Sequence, residues 1–357
     1  VRRRGTAVLV LAATCALSAP PSLAAGVHDR AAADGRPQAA ATLAQVARAR
    51  RWVAAGVRLH TLPRALGAQL GGEPLSWLTG NACLDASTNR RPVPCILGDR
   101  HATQALVLIG DSFAVQWGLA FDQLGRKLHF KVIAFVRRAC PFASIGVARV
   151  FSTPLDYGCV RYRNRVLNEV NALRGSVQIL VAAEARDVYN QPNGKPFKNA
   201  AWSAAVTKTL DTIRLPGLLK VVLHGVPTAL ASPAECLSAY PTQLQRCLTP
   251  VSSAFPGGFD GAEVLGAQRA HAAIVGLTRL FCTTSLCPDV ANDELVHADQ
   301  EHVNRHFALS LDLALGELLG CTATEASPSQ PATRGILARL NGGPVTRSLR
   351  RSCRALR

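Results

Sequence analysis

Residues 104–109 (QALVLI) form an apolar run that stops abruptly at Gly110-Asp111-Ser112. A strand with no polar face has to be covered on both sides. A parallel sheet between two helical layers meets that condition. Similar runs recur at 131–136 (KVIAFV), 177–183 (VQILVAA) and 219–225 (LKVVLHG). Residues 114–128, 201–213, 262–281 and 303–319 read as helices. Strands alternating with helices predict an α/β domain, three layers deep, built on a parallel sheet.

The flanks differ from this centre. Arg2-Arg3-Arg4 precede an apolar stretch at 6–19, closed by Pro20, Pro21 and the small residues of Ser22-Leu23-Ala24-Ala25. That is the pattern of an export signal, which we assign to residues 1–25. Residues 26–79 are rich in Ala and Arg and read as a partly helical, peripheral lead-in; the domain proper spans 80–321. Residues 322–357 are rich in Ser, Pro, Gly and Arg and read as a disordered tail. The remaining chain has no run of about 18 apolar residues, which excludes a multi-span membrane protein.

The net charge of +17 is unevenly spread. Arg2 to Arg4 carry +3 and the residues after Cys321 carry +6, which leaves +8 for the rest. Such a balance suits an anionic envelope polymer or lipid head groups. Nucleic acid is not the expected partner, because no zinc finger, basic zipper or RNP-like strand is present.

Outside the export signal there are ten cysteines, at 83, 95, 140, 159, 236, 247, 282, 287, 321 and 353. An even number in an exported chain points to disulfides. Nearest-neighbour pairing gives Cys83–Cys95, Cys140–Cys159, Cys236–Cys247 and Cys282–Cys287, though spacing leaves the connectivity open. No CxxC pair or HExxH motif occurs, so neither a metal nor a cofactor is expected. His302 and His306 stand at i,i+4 but lack a third ligand.

Two distant points carry chemistry. Ser112 sits on the turn after the first strand, and ligand sites in parallel α/β sheets lie beyond the carboxyl ends of strands. Asp299-Gln300-Glu301-His302 precedes the last helix. A serine nucleophile needs a base, and the base needs an orienting carboxylate. A spacing of three lets one short loop present both Asp299 and His302. His297 and His306 are competing bases. Taken separately, each point also reads as an ordinary capped turn. Trp117 reads as core and His224 as a buried strand-end histidine.

Taken together, these residues resemble the SGNH/GDSL hydrolase superfamily. They are closest to the SGNH domain of acyltransferase-3-type envelope O-acyltransferases. Gly110-Asp111-Ser112-Phe113-Ala114-Val115-Gln116-Trp117 is similar to that family's GDSHAxQW block. Cys83 with Cys95, Cys140-Pro141, and Cys282 with Cys287-Pro288 are similar to its cysteine framework. The resemblance implies a flavodoxin-like SGNH fold and a serine acyl-ester enzyme. Ser112 would be the nucleophile, His302 the base and later the acid, Asp299 its orienting carboxylate, and the Ser112 N–H one oxyanion donor.

The chain departs from the family in two places. Phe113 stands where the family has histidine. No GxND follows the third strand; residues 184–190 read EARDVYN. Arg186 or Asn190 is the candidate replacement donor. The implied substrate is an acylated envelope polysaccharide or other glycan. The acyl group, expected to be acetyl, passes to water or arrives from a separate membrane acyl-donor protein. The alternative is a non-catalytic glycan-binding or scaffold module of the same fold.

Overall fold

The structure, a computed structural model, describes residues 44–67, 69–70, 81–85, 92–148, 154–174, 176–184, 189–255 and 261–320. The expected export signal and tail, Cys321, Cys353, Trp77 and Arg186 lie outside the described residues.

Six strands form the main sheet: β1 (Cys95–Gly98), β2 (Gln104–Gly110), β3 (Lys131–Val136), β4 (Ser176–Ala183), β5 (Leu219–His224) and β6 (Ala273–Gly276). Their order is β1-β3-β2-β4-β5-β6. All neighbours run parallel except β1, which lies antiparallel on the edge against β3. The chain leaves β2 for β3 on one side and then crosses to β4 on the other. Strand order therefore reverses at β2, which makes its carboxyl end the switch point where such sheets bind ligands.

The apolar run in β2 is explained by its two faces. Leu106 and Leu108 pack into one core with Trp117, Phe121, Phe281 and Phe307. Val107 and Ile109 pack into a second core with Tyr162, Val166 and Trp202. The first layer contains α1 (Ala44–Val57), α2 (Ser112–Val115), α3 (Gly118–Leu128), α7 (Arg305–Ser310) and α8 (Asp312–Leu318). The opposite layer contains α4 (Tyr157–Ala172), α5 (Asn199–Thr212) and α6 (Ala262–Arg269). This is the three-layer α/β fold expected.

The elements depart from the sequence reading in several places. The expected helix over 262–281 ends at Arg269; the chain turns through His271 at φ 52°, and residues 273–276 become β6. A four-residue apolar run carries no period of its own, and the open edge of β5 decides it. The expected helix over 303–319 breaks at Leu311. There Asp312 is held by Gln123 Nε2 at 2.8 Å and Lys127 Nζ at 2.7 Å. The helix after Ser112 likewise divides in two around Trp117. Helix α4 and edge strand β1 carry patterns too weak to have been read.

The lead-in is not peripheral where it is described. Val46, Ala49 and Val53 of α1 are buried at helical spacing. The Glu317 carboxylate accepts from the Gln45 and Val46 N–H groups, so α8 caps α1. Disulfides join Cys83–Cys95, Cys140–Cys159, Cys236–Cys247 and Cys282–Cys287. No helix among the described residues is long and apolar enough to cross a membrane.

Candidate active site

The turn after β2 is built around a glycine that nothing else can replace. Gly110 has φ 144°, and a Cβ there would meet the Ala183 carbonyl at 2.0 Å. Strands β2 and β4 therefore approach closely at this point, and the chain is thrown upward into Asp111 and Ser112. Asp111 is fully buried. Its Oδ1 accepts from the Phe113 N–H at 2.8 Å, and its Oδ2 accepts from the Tyr189 hydroxyl at 2.7 Å. Ser112 opens the helical turn of α2 and is half-buried.

A tight hairpin before α7 supplies the partners. Its legs are tied by the bridge between His297 and Val303 and by the Asn304 N–H donating to Val296. At its tip, Asp299 Oδ1 accepts from the Glu301 and His302 N–H groups at 2.8 and 2.7 Å. His302 Nδ1 lies 2.8 Å from Asp299 Oδ2, and His302 Nε2 lies 2.8 Å from Ser112 Oγ. An ionised carboxylate only accepts, so Nδ1 carries the proton and Nε2 is left to accept from the serine. Residues 190 positions apart thus meet in a continuous chain of hydrogen bonds.

The electrostatics fit that assignment of protons. Burial raises the Asp299 carboxyl, but the His302 ring and the two backbone N–H groups outweigh it and hold it down to about 2. Burial pushes Glu301, on the same tip, upward. Below the Ser112 turn, burial and the nearby Asp111 and Glu263 hold the Glu184 carboxyl well above its usual range. Glu184 accepts from the Ala143 N–H and from Trp202 Nε1.

Asn190 is exposed, and its backbone pairs with Pro196 and Ala148. His306 is exposed and meets Arg305. His297 is buried against Asp289 and Pro227 rather than facing Ser112. Trp117 is core. His224 is only half-buried.

Three residues support the site through contacts that adjacent sequence does not carry. Tyr189 stacks on Trp202 and props Asp111. Phe113 lays its ring 5.1 Å from the His302 ring. Gln116 grips the hairpin at Val303. Phe113 and Gln116 both stand in the quoted block and Tyr189 in residues 184–190, but the contacts they make show only in three dimensions.

A parallel sheet with a serine at its switch point, faced by an Asp-x-x-His hairpin, belongs among hydrolase- and acyltransferase-like α/β modules. Residues 82–315, most of the chain, match the family described as the SGNH domain fused to AT3 domains. The chain belongs to that family. Among solved structures it is similar to the periplasmic domain of a lipopolysaccharide acetyltransferase from Salmonella ser. Paratyphi A. The identity is 13%, the match covers 78% of this chain and 98% of that one, and the TM-score is 0.47. No curated protein matches the chain.

Proposed function

We propose that this protein is an exported serine acyl-ester enzyme that works on an acylated envelope glycan through a Ser112 acyl-enzyme. The observation that carries the reading is the unbroken contact from Asp299 through His302 to Ser112 Oγ, with 2.8 Å at each ring nitrogen. Ser112 Oγ attacks the ester carbonyl carbon while His302 Nε2 takes its proton. Asp299 steadies the imidazolium that forms. The Ser112 N–H, at the first position of a helical turn and without an intrahelical partner, faces the developing oxyanion. Collapse breaks the bond to the sugar oxygen, which leaves with the proton from His302. Water or an acceptor hydroxyl then attacks the acyl-enzyme by the same steps in reverse, returning the proton to Ser112. Arg186 and Asn190 are the candidates for a second oxyanion donor. In the transferase form, a membrane partner supplies the acyl group.

Four disulfides suit an oxidising compartment outside the cytoplasm. The test is hydrolysis of p-nitrophenyl acetate together with fluorophosphonate labelling. Both are expected in the native chain, and both are expected to vanish in Ser112→Ala while its circular dichroism is unchanged. Turnover that survives the substitution removes the mechanism. An unlabelled Ser112 combined with measurable glycan binding favours a non-catalytic module.

A further inference from the structure

The hairpin that carries Asp299 and His302 has little secondary structure of its own. Its two legs meet at one cross-leg pair, His297 opposite Val303. Each member of that pair is held by a buried polar side chain, and the two holds come from different sides.

On the Val303 side the hold is Gln116, fully buried one turn after Ser112. Its Oε1 accepts from the Val303 N–H at 2.8 Å. A backbone N–H can only donate, so that contact fixes which end of the amide faces it. Gln116 Nε2 is then left buried without an acceptor among the described residues. A stranded amide works against stability.

On the other leg the hold is His297, only 2% exposed. Its Nε2 lies 3.1 Å from the Pro227 carbonyl, in the loop after β5. Its Nδ1 lies 3.2 Å from Asp289 Oδ1. A carbonyl can only accept, so Nε2 donates to it, and Asp289 holds the other ring nitrogen. The pair is thus held at both nitrogens and its ring cannot rotate freely. Backbone contacts run the same way: Ala229 N–H donates to Gln300, and Val296 N–H donates to Asp289.

We propose that Gln116 and the His297–Asp289 pair are positioning residues that clamp the two legs of this hairpin and so set the distance between His302 and Ser112. Neither is given a place in the bond-making steps. The proposal rests on the reading of Ser112 and His302 as reacting partners, but the clamp can be tested without it. Misplacing a reacting group by about 1 Å can cost roughly 100-fold in rate.

The test uses the full exported chain and four variants: Gln116→Met, His297→Leu, the double variant His297→Leu/Asp289→Leu, and Asp289→Asn. The double variant guards against misfolding, because it strands no buried carboxylate. Asp289→Asn is the rescue, since an asparagine N–H can donate to Nδ1 while Nε2 still donates to Pro227.

The first readout is amide hydrogen exchange at Ala298, Val303 and Asn304, which needs no activity. We expect at least tenfold faster exchange there in Gln116→Met, in His297→Leu and in the double variant, with the β2 and β4 amides unchanged. Asp289→Asn is expected to stay near wild type. Unchanged exchange in the hairpin overturns the clamp.

The second readout is p-nitrophenyl acetate turnover. A 10- to 100-fold fall in kcat is expected with KM within twofold, and recovery in Asp289→Asn. Loosened exchange with wild-type kcat overturns the positioning role. A native chain with no Ser112-dependent turnover sinks the proposed function instead, and the exchange result still decides the clamp.

Discussion

Replacing Gly110 by alanine tests how the Ser112 turn is built. The new Cβ would stand 2.0 Å from the Ala183 carbonyl oxygen and 2.8 Å from Ala114 Cβ. The first contact is with backbone, so no side-chain rotation relieves it. The residue also sits at φ 144°, where an L side chain is strained. Strain of this kind costs about 1–3 kcal/mol, and overpacking adds about 1–3 kcal/mol. The sum, roughly 2–6 kcal/mol, is a large share of a typical domain's stability of about 5–15 kcal/mol.

Two other glycines divide the effect. Gly217 has φ 72° but open space around a Cβ, so Gly217→Ala isolates the backbone strain. Gly276 has open space and no positive φ, so Gly276→Ala should be neutral or stabilising by about 0.4–1 kcal/mol. Urea unfolding gives the three values, and fluorophosphonate labelling reports the turn. We expect the order Gly110 worst, Gly217 next, Gly276 harmless, with labelling lost only in Gly110→Ala. A Gly110→Ala protein within 0.5 kcal/mol of wild type that labels at the normal rate would refute the close-approach argument.

Further outcomes are expected. Tyr189→Phe removes the hydroxyl that donates to buried Asp111 and should cost about 1–3 kcal/mol in urea unfolding; labelling of Ser112 should slow as Asp111 loosens. Asp299 is held down to about 2, below its ordinary 3.8, so its contribution is present above about pH 4 and is lost as pH falls through 2. Because its side chain is 36% exposed, that contribution should reach only about 1 kcal/mol, and an acid-unfolding series with Asp299→Asn measures it. Converting Cys140 and Cys159 together to alanine opens a 19-residue separation and should cost about 3 kcal/mol, seen as a lowered urea midpoint.

How far the sequence could be read follows from the range of each interaction. Strands β2 to β5 were legible because burial on both faces demands unbroken apolar runs, as in residues 104–109. Ser112, Asp299 and His302 could be named because turn chemistry is local and the quoted blocks resemble a known family. The short strand at Ala273–Gly276 was not legible, since four apolar residues carry no period and the neighbouring edge of β5 makes the choice. The break at Leu311 depends on Gln123 and Lys127, nearly 190 residues away in sequence.

The sequence alone therefore determined the elements whose signal is written in adjacent residues: a sheet buried on both faces, a glycine turn, and the two short loops that carry Ser112 and Asp299-x-x-His302. Tertiary structure alone decided which polar groups meet. Tyr189 under Asp111, Gln116 against Val303 and His297 on the Pro227 carbonyl are contacts between remote segments, and the tertiary fold brings each pair within 3.1 Å. Hydrogen bonds act over about 3 Å, while the pattern of a sequence reports only neighbours along the chain.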